Sequence, residues 1–380
     1  MLRLIPVFIS SIFLSLNFGL LLYVNSTFLA SFLTPGGVSS VFLAASLVNA
    51  VIFFFATRLL NFFGKEKVLL FFMLSASLGA VGLAFSANAV TAVVSFIVYE
   101  SFLFMVYYCL DIFVEEKTPD KHAGEVRGVY YMLINGGVAA GPLLLSFLVV
   151  DDNLRVSYLA AVALLAVPLV ISFVFLFGAK KTLHRWGHAG LPIKAWWKKR
   201  NIRAVSLAKL ALETFYGVMV IYTPIYLHGT LGFEWSELGI IFTIMLLPFV
   251  VLEWPAGELA DRFWGEKEMM SVGFFLMGIA LLTMPFIPKA FVIWMLILLL
   301  SRIGASLVEI TTESYFFKKI DAKDTGILAI FRLLRPVGII FGAGIGAASL
   351  QFFTLEKIFF ILAVVVFFGM REALYLRDTL

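Results

Sequence analysis

Charged residues are scarce in this sequence. They make up 14% of its 380 residues, where a soluble domain carries about 25%. A chain of this length cannot cover a water-facing surface with so few ionised groups, which excludes a soluble enzyme or binding module. Cysteine is scarcer still. Cys109 stands alone, so neither an internal disulfide framework nor a cysteine-rich metal site can form. None of the four histidines falls midway along an apolar run. No G-x-x-x-x-G-K-[ST] sequence occurs, and no polar segment is long enough to house a nucleotide-binding domain. No metal and no cofactor is expected.

What fills the chain instead is apolar. Hydrophobic residues reach 62%, and mean hydropathy is +1.01. They fall into runs of about 18 residues or more, long enough to cross a hydrocarbon core of roughly 30 Å as helices and unlike the short alternating strands of a barrel. The runs are 5–30, 38–60, 67–87, 90–114, 126–149, 156–178, 203–227, 237–256, 267–287, 290–316, 326–350 and 356–376. They are numbered here as spans 1 to 12. Span 1 follows Arg3 and has a signal peptide's basic start, but no convincing cleavage site appears, so it reads as a retained helix. The expected fold is an all-α membrane protein with twelve transmembrane helices.

Lysine and arginine set the orientation. With both termini and the segment 179–202 on the cytoplasmic side, about 22 bases lie inside and about three outside (Arg155, Lys289 and Lys357). Adding or removing one helix would scramble that alternation. The count of twelve thus has support independent of hydropathy.

The chain also repeats itself. After span 4 it carries Asp111, Lys117, Lys121, Gly124 and Gly136; after span 10, at identical spacing, Glu313, Lys319, Lys323, Gly326 and Gly338. NFFGKEK (61–67) between spans 2 and 3 answers RFWGEKE (262–268) between spans 8 and 9. Duplication explains both matches, and it is a usual origin of transporter architecture. The expected organisation is two pseudo-symmetric six-helix bundles, 1–178 and 203–380, joined by the linker 179–202.

At the cytoplasmic end of span 8 stands Gly257-Glu258-Leu259-Ala260-Asp261-Arg262-Phe263-Trp264-Gly265-Glu266-Lys267. It resembles the loop signature G-x-L-A-D-R-x-G-R-K of the major facilitator superfamily, with one extra residue before Gly265 and Glu266 in place of a base. The first-half counterpart carries Leu60 where the acid would be. Span 5 reads Gly136-Gly137-Val138-Ala139-Ala140-Gly141-Pro142. It is similar to the G-x-x-x-G-P motif of exporters in that family, with Leu145 and Ser146 replacing the trailing glycines. Gly338 and Gly342 give span 11 the same spacing. Both faces also read simply as close helix packing. In the resembled family these two spans line the interface between the halves.

Charges inside spans carry the functional argument. Glu100 lies about eleven residues into span 4, Glu213 about eleven into span 7 and Arg302 about thirteen into span 10, all near the midplane. Lys209 precedes Glu213 by one turn on one face. Four such charges facing lipid would cost on the order of 10 kcal/mol, so they must pair or face a wet cavity. Spans 4, 7 and 10 are, with span 1, the cavity-lining helices of the resembled family. The resemblance therefore implies that the four charges share a central pathway. The alternative is a buried ion-pair cluster that only fixes helix register, a reading that suits Lys209 with Glu213 best. Tyr107, Tyr108, Tyr216 and Asn17 are candidate polar contacts in the same cavity. Glu213 and Glu100 are the candidate proton carriers. Arg332 and Arg335, with Asp111, Glu253, Glu309 and Glu313 at similar depth, read either as a cytoplasmic gate or as charges reaching to the interface. Asp261, Arg262, Gly265, Lys267 and Arg127 belong to the same gate region.

The linker has no acid, several bases and three tryptophans (Trp186, Trp196, Trp197), which suits a helix lying on anionic lipid and not nucleic-acid binding. His184 and His188 stand four apart without a third ligand nearby. Two function classes compete. The first is a secondary transporter working by alternating access on a small molecule, in the plasma membrane, as a monomer, and a candidate for proton coupling and for export. The second is a membrane-embedded lipid-modifying enzyme, which would need a carboxylate cluster or an intramembrane histidine; the only adjacent aspartates, Asp151 and Asp152, lie in a short outer loop. A non-transporting, receptor-like relative is a third possibility. Composition does not choose a substrate.

Overall fold

The computed structural model describes residues 4–117, 123–176, 193–260, 264–320 and 325–377. Every regular element among them is helical. Ten helices are long and apolar enough to cross a membrane: Ile5–Ala30, Pro35–Ala56, Lys65–Ala84, Ala89–Val114, Gly128–Leu148, Arg155–Val174, Arg200–Thr230, Glu266–Phe286, Phe291–Lys319 and Ile330–Ser349. Trp235–Val251 is a shorter apolar helix in the place of span 8. Span 12 is Lys357–Leu374, with charge at its ends in Lys357, Arg371 and Glu372. Twelve crossing segments result.

Local chemistry explains where the helices begin and end. Thr34 accepts the Gly37 N–H at 3.2 Å, and Pro35 supplies the fixed φ of a first helical position. Asn88 accepts the Thr91 N–H at 3.0 Å ahead of span 4. Asp151 and Asp152 both adopt positive φ, 52° and 56°, so this adjacent pair forms the turn between spans 5 and 6. Pro224 sits inside span 7 and is followed by a π-helical turn over Ile225–Thr230, as expected where a residue brings no N–H to the ladder.

The two repeated loop segments adopt one conformation. Gly64 has φ 86° and ψ 147°, and Gly265 has φ 81° and ψ 150°. That region is essentially closed to residues with a Cβ. In both places the next span starts at the following residue.

The chain divides into two compact units: Met1–Trp186 with Phe233–Thr243, and Gly187–Gly232 with Ile244–Leu380. Within the first, span 1 packs on spans 4, 5 and 6, and span 4 packs on spans 2 and 3. Within the second, span 7 packs on spans 10, 11 and 12, and span 10 packs on spans 8 and 9. The same pairing recurs six spans later, as a duplicated bundle requires. Glycines set the closest approaches. Gly137 lies against Ser15, and Gly141 against Gly19 and Leu20, joining span 5 to span 1. Gly338 lies against Glu213, and Gly342 against Thr214 and Val218, joining span 11 to span 7. These glycine faces are thus used inside each half. In the first unit, Gly239 at the start of span 8 also meets Pro142, and the Ser146 hydroxyl donates to the Ser236 carbonyl at 2.9 Å.

Candidate functional site

The densest polar cluster among the described residues is built by three helices of the second half. Span 7 supplies Lys209 and Glu213, four apart, with side chains only 7% and 4% exposed. Span 10 supplies Glu309 and Glu313, also four apart. Their carboxylates face Lys209, whose Nζ lies 3.3 Å from Glu213, 3.7 Å from Glu309 and 3.4 Å from Glu313. One buried ammonium therefore answers three carboxylates. Span 11 adds Arg332, 3.6 Å from the second oxygen of Glu313. Arg335 lies close enough to act electrostatically on both Lys209 and Glu213. It comes one turn before Gly338, the residue whose missing side chain lets span 11 settle on Glu213.

Aromatic groups extend the cluster. The Tyr216 hydroxyl donates to Glu309 at 2.8 Å. Arg302 is buried, its guanidinium 5.0 Å from the Phe215 ring centre and 5.8 Å from that of Tyr216. Two faces of neighbouring rings thus help to carry that cation. Each charge pair within about 4 Å interacts by roughly 4 kcal/mol at an effective dielectric of about 20. Protonating any one of the three carboxylates therefore removes one of the three attractions that hold Lys209.

The first half holds the same framework with most of the charge removed. Tyr107 donates to Ser15 at 3.3 Å, and Tyr130 donates to Asp111 at 2.6 Å. Asn17 donates to the Ala161 carbonyl at 2.8 Å and accepts from Tyr99 at 2.7 Å, tying spans 1, 4 and 6. Glu100 is half-buried, near enough to act electrostatically on Tyr99 and Tyr158. The offset of 202 residues that relates Asp111 to Glu313 also relates Tyr107 to Glu309, Tyr130 to Arg332 and Glu100 to Arg302. Equivalent places therefore hold tyrosine opposite carboxylate, tyrosine opposite arginine, and acid opposite base.

The sequence separates a midplane group (Lys209, Glu213) from a cytoplasmic gate group (Glu309, Glu313, Arg332, Arg335). The structure joins the two into one cluster. Glu100 belongs to the first unit. Of the loop signature, Gly265 starts span 9, and Lys267 is half-buried in its first turn. Asp261 and Arg262 lie outside the described residues, as do His184, His188 and Trp186; the side chains of Arg127 and Glu253 lie outside them too, as do the surroundings of Gly257. Trp196 donates to Ser206 at 3.0 Å, and Arg203 stacks on Trp197 at 5.0 Å, holding the short linker helix Ile193–Lys198 to span 7. Ser15, Tyr99, Tyr130 and Phe215 were not singled out by sequence. Extending the 202-residue offset from the loops into the spans would have found Tyr130.

The model of the Major Facilitator Superfamily matches residues 7–245 and 214–379. The chain belongs to the major facilitator superfamily. The crystal structure of an auto-inhibited POT family peptide transporter superposes with a TM-score of 0.78, covering 98% of this chain and 96% of that one at 13% identity. At that identity the match shows a shared fold and nothing about substrate. No curated protein matches the chain in sequence. This major facilitator is therefore a multi-pass membrane protein of transporter type, acting on a small molecule, and the Lys209 cluster lies within its second repeat.

Proposed function

We propose that this protein is a proton-coupled secondary transporter of a small polar solute, and that the Lys209 cluster is its coupling site. The observation that carries the reading is one buried ammonium shared by three carboxylates, drawn from two helices of the second half. Glu213 is the deepest acid of the set and takes the proton. Once neutral, it releases its share of Lys209, which then rests on Glu309 and Glu313 alone. Arg332 and Arg335 on span 11 follow the carboxylates they face, so a proton gained at Glu213 changes the pull between spans 7, 10 and 11. The first half, with fewer charges, supplies Tyr107 and Glu100 as polar groups for the solute, while the buried Asn17 is held by Tyr99 and Ala161. The span 5 glycine–proline segment favours export. The protein works as a monomer in the plasma membrane, with both termini cytoplasmic and its basic linker on anionic lipid.

The test is solute-dependent proton flux. Purified protein is screened for thermal stabilisation by panels of metabolites and amphipathic drugs, and stabilising solutes are added to proteoliposomes loaded with a pH dye. Proton movement on solute addition supports the reading. Solute counterflow with no proton movement rejects the coupling, and absence of counterflow rejects transport of those solutes.

A further inference from the structure

Proton coupling at Lys209 makes no use of Glu266, yet this carboxylate is fully buried. It follows Gly265 directly and opens span 9. Its Oε1 takes the Lys318 ammonium at 2.5 Å and accepts the Ser314 hydroxyl at 3.1 Å. Ser314 and Lys318 stand four apart on span 10, beside the Glu309–Glu313 pair on the same helix. One short stretch of span 10 therefore has two grips, one on span 9 through Glu266 and one on span 7 through Lys209. Farther along, Gly273 and Gly304 bring the backbones of spans 9 and 10 into contact, so Glu266 closes the cytoplasmic end of an already tight pair. Sliding span 10 by two residues moves Glu313 by about 3 Å along the axis. Its 3.4 Å contact with Lys209 would not survive that slip.

The first repeat shows what else this position can hold. After Gly64 the chain places Lys65, also buried, with its ammonium 4.8 Å from the Phe113 ring centre. The same turn thus accepts a buried side chain of either sign.

We propose that Glu266 is a positioning residue whose ion pair with Lys318 fixes span 10 in the register at which Glu309 and Glu313 reach Lys209. Its functional meaning rests on the coupling role proposed for that cluster; its geometric content does not. The experiment uses the full chain purified in detergent, with no solute present. The non-additivity of Lys209→Gln and Glu313→Gln in unfolding temperature reads their contact. In a Glu266→Gln background this coupling is expected to fall to less than half, and an undiminished value overturns the proposal. Should Glu266→Gln fail to fold, the exchange Glu266→Lys with Lys318→Glu provides the second variant. It is expected to keep most of the Lys209–Glu313 coupling, since Lys65 shows that a buried lysine fits after the equivalent glycine, Gly64. A folded exchange variant with the coupling lost overturns the proposal. In proteoliposomes, Glu266→Gln is expected to move the pH profile of proton flux and the exchange to bring it back; an unmoved profile removes the positioning role. Wild-type protein without any proton flux rejects the coupling reading instead and leaves the unfolding measurements decisive for Glu266.

Discussion

Gly338 of span 11 lies directly on Glu213 of span 7: a Cβ placed there would stand 2.8 Å from the Glu213 carbonyl carbon and 2.9 Å from the Thr214 nitrogen. The helix that carries Arg332 and Arg335 can approach the buried acid only because this position has no side chain. Both contacts are to backbone, which cannot swing aside. Gly338→Ala is expected to destabilise the protein by about 1–3 kcal/mol and to lower transport. Gly344, on the same helix, has nothing within 4 Å of its own Cβ position. Gly344→Ala should be neutral or slightly stabilising. Thermal unfolding of the two variants side by side checks the claim, and equal effects would contradict it.

Lys209 answers three carboxylates, so its removal leaves more uncompensated charge than the loss of one pair. Lys209→Gln is expected to cost about 3–5 kcal/mol, the range for breaking a buried ion pair from one side. Adding Glu213→Gln should recover part of that loss. Unfolding of the single and double variants decides the matter: strict additivity would show that the two side chains do not act as a unit.

Tyr216→Phe removes one hydroxyl and leaves its ring beside Arg302. The lost bond to Glu309 should cost about 1.5–3 kcal/mol, as for a hydrogen bond to a charged group. If Tyr216 tunes Glu309 as part of the coupling cluster, the pH profile of proton flux should move in the same variant. A stability loss with an unmoved profile would reduce Tyr216 to a packing role.

Asn17 ties three helices of the first half through Tyr99 and the Ala161 carbonyl. Asn17→Leu strips both bonds and leaves two buried polar groups without their partner, at an expected cost of about 2 kcal/mol or more. Asn17→Asp keeps an acceptor for Tyr99 but loses the amide donor. Unfolding temperatures should therefore rank wild type above Asn17→Asp and Asn17→Asp above Asn17→Leu.

The fold was largely legible because its causes are local and periodic. Apolar run length gives the spans, the lysine and arginine bias gives their alternation, and the loop repeats around Gly64 and Gly265 give the duplication. The i, i+4 pair Lys209–Glu213 could likewise be read from one helix. What sequence could not supply was register between helices. Glu309 and Glu313 look like cytoplasmic gate residues when depth is counted along span 10 alone. The long arm of Lys209, reaching across from span 7, ties them to the midplane acid instead. Glu266 shows the same limit. As a departure from a family signature it reads as a lost base, whereas in three dimensions it is one half of an ion pair whose partner lies about fifty residues away.

Glu213→Gln in proteoliposomes tests the central claim most directly, since the substitution keeps the side chain's shape and removes its capacity to exchange a proton. Solute counterflow is expected to persist while pH-driven accumulation is lost. Accumulation that still follows the imposed pH gradient in this variant would contradict the assignment of Glu213 as the coupling acid.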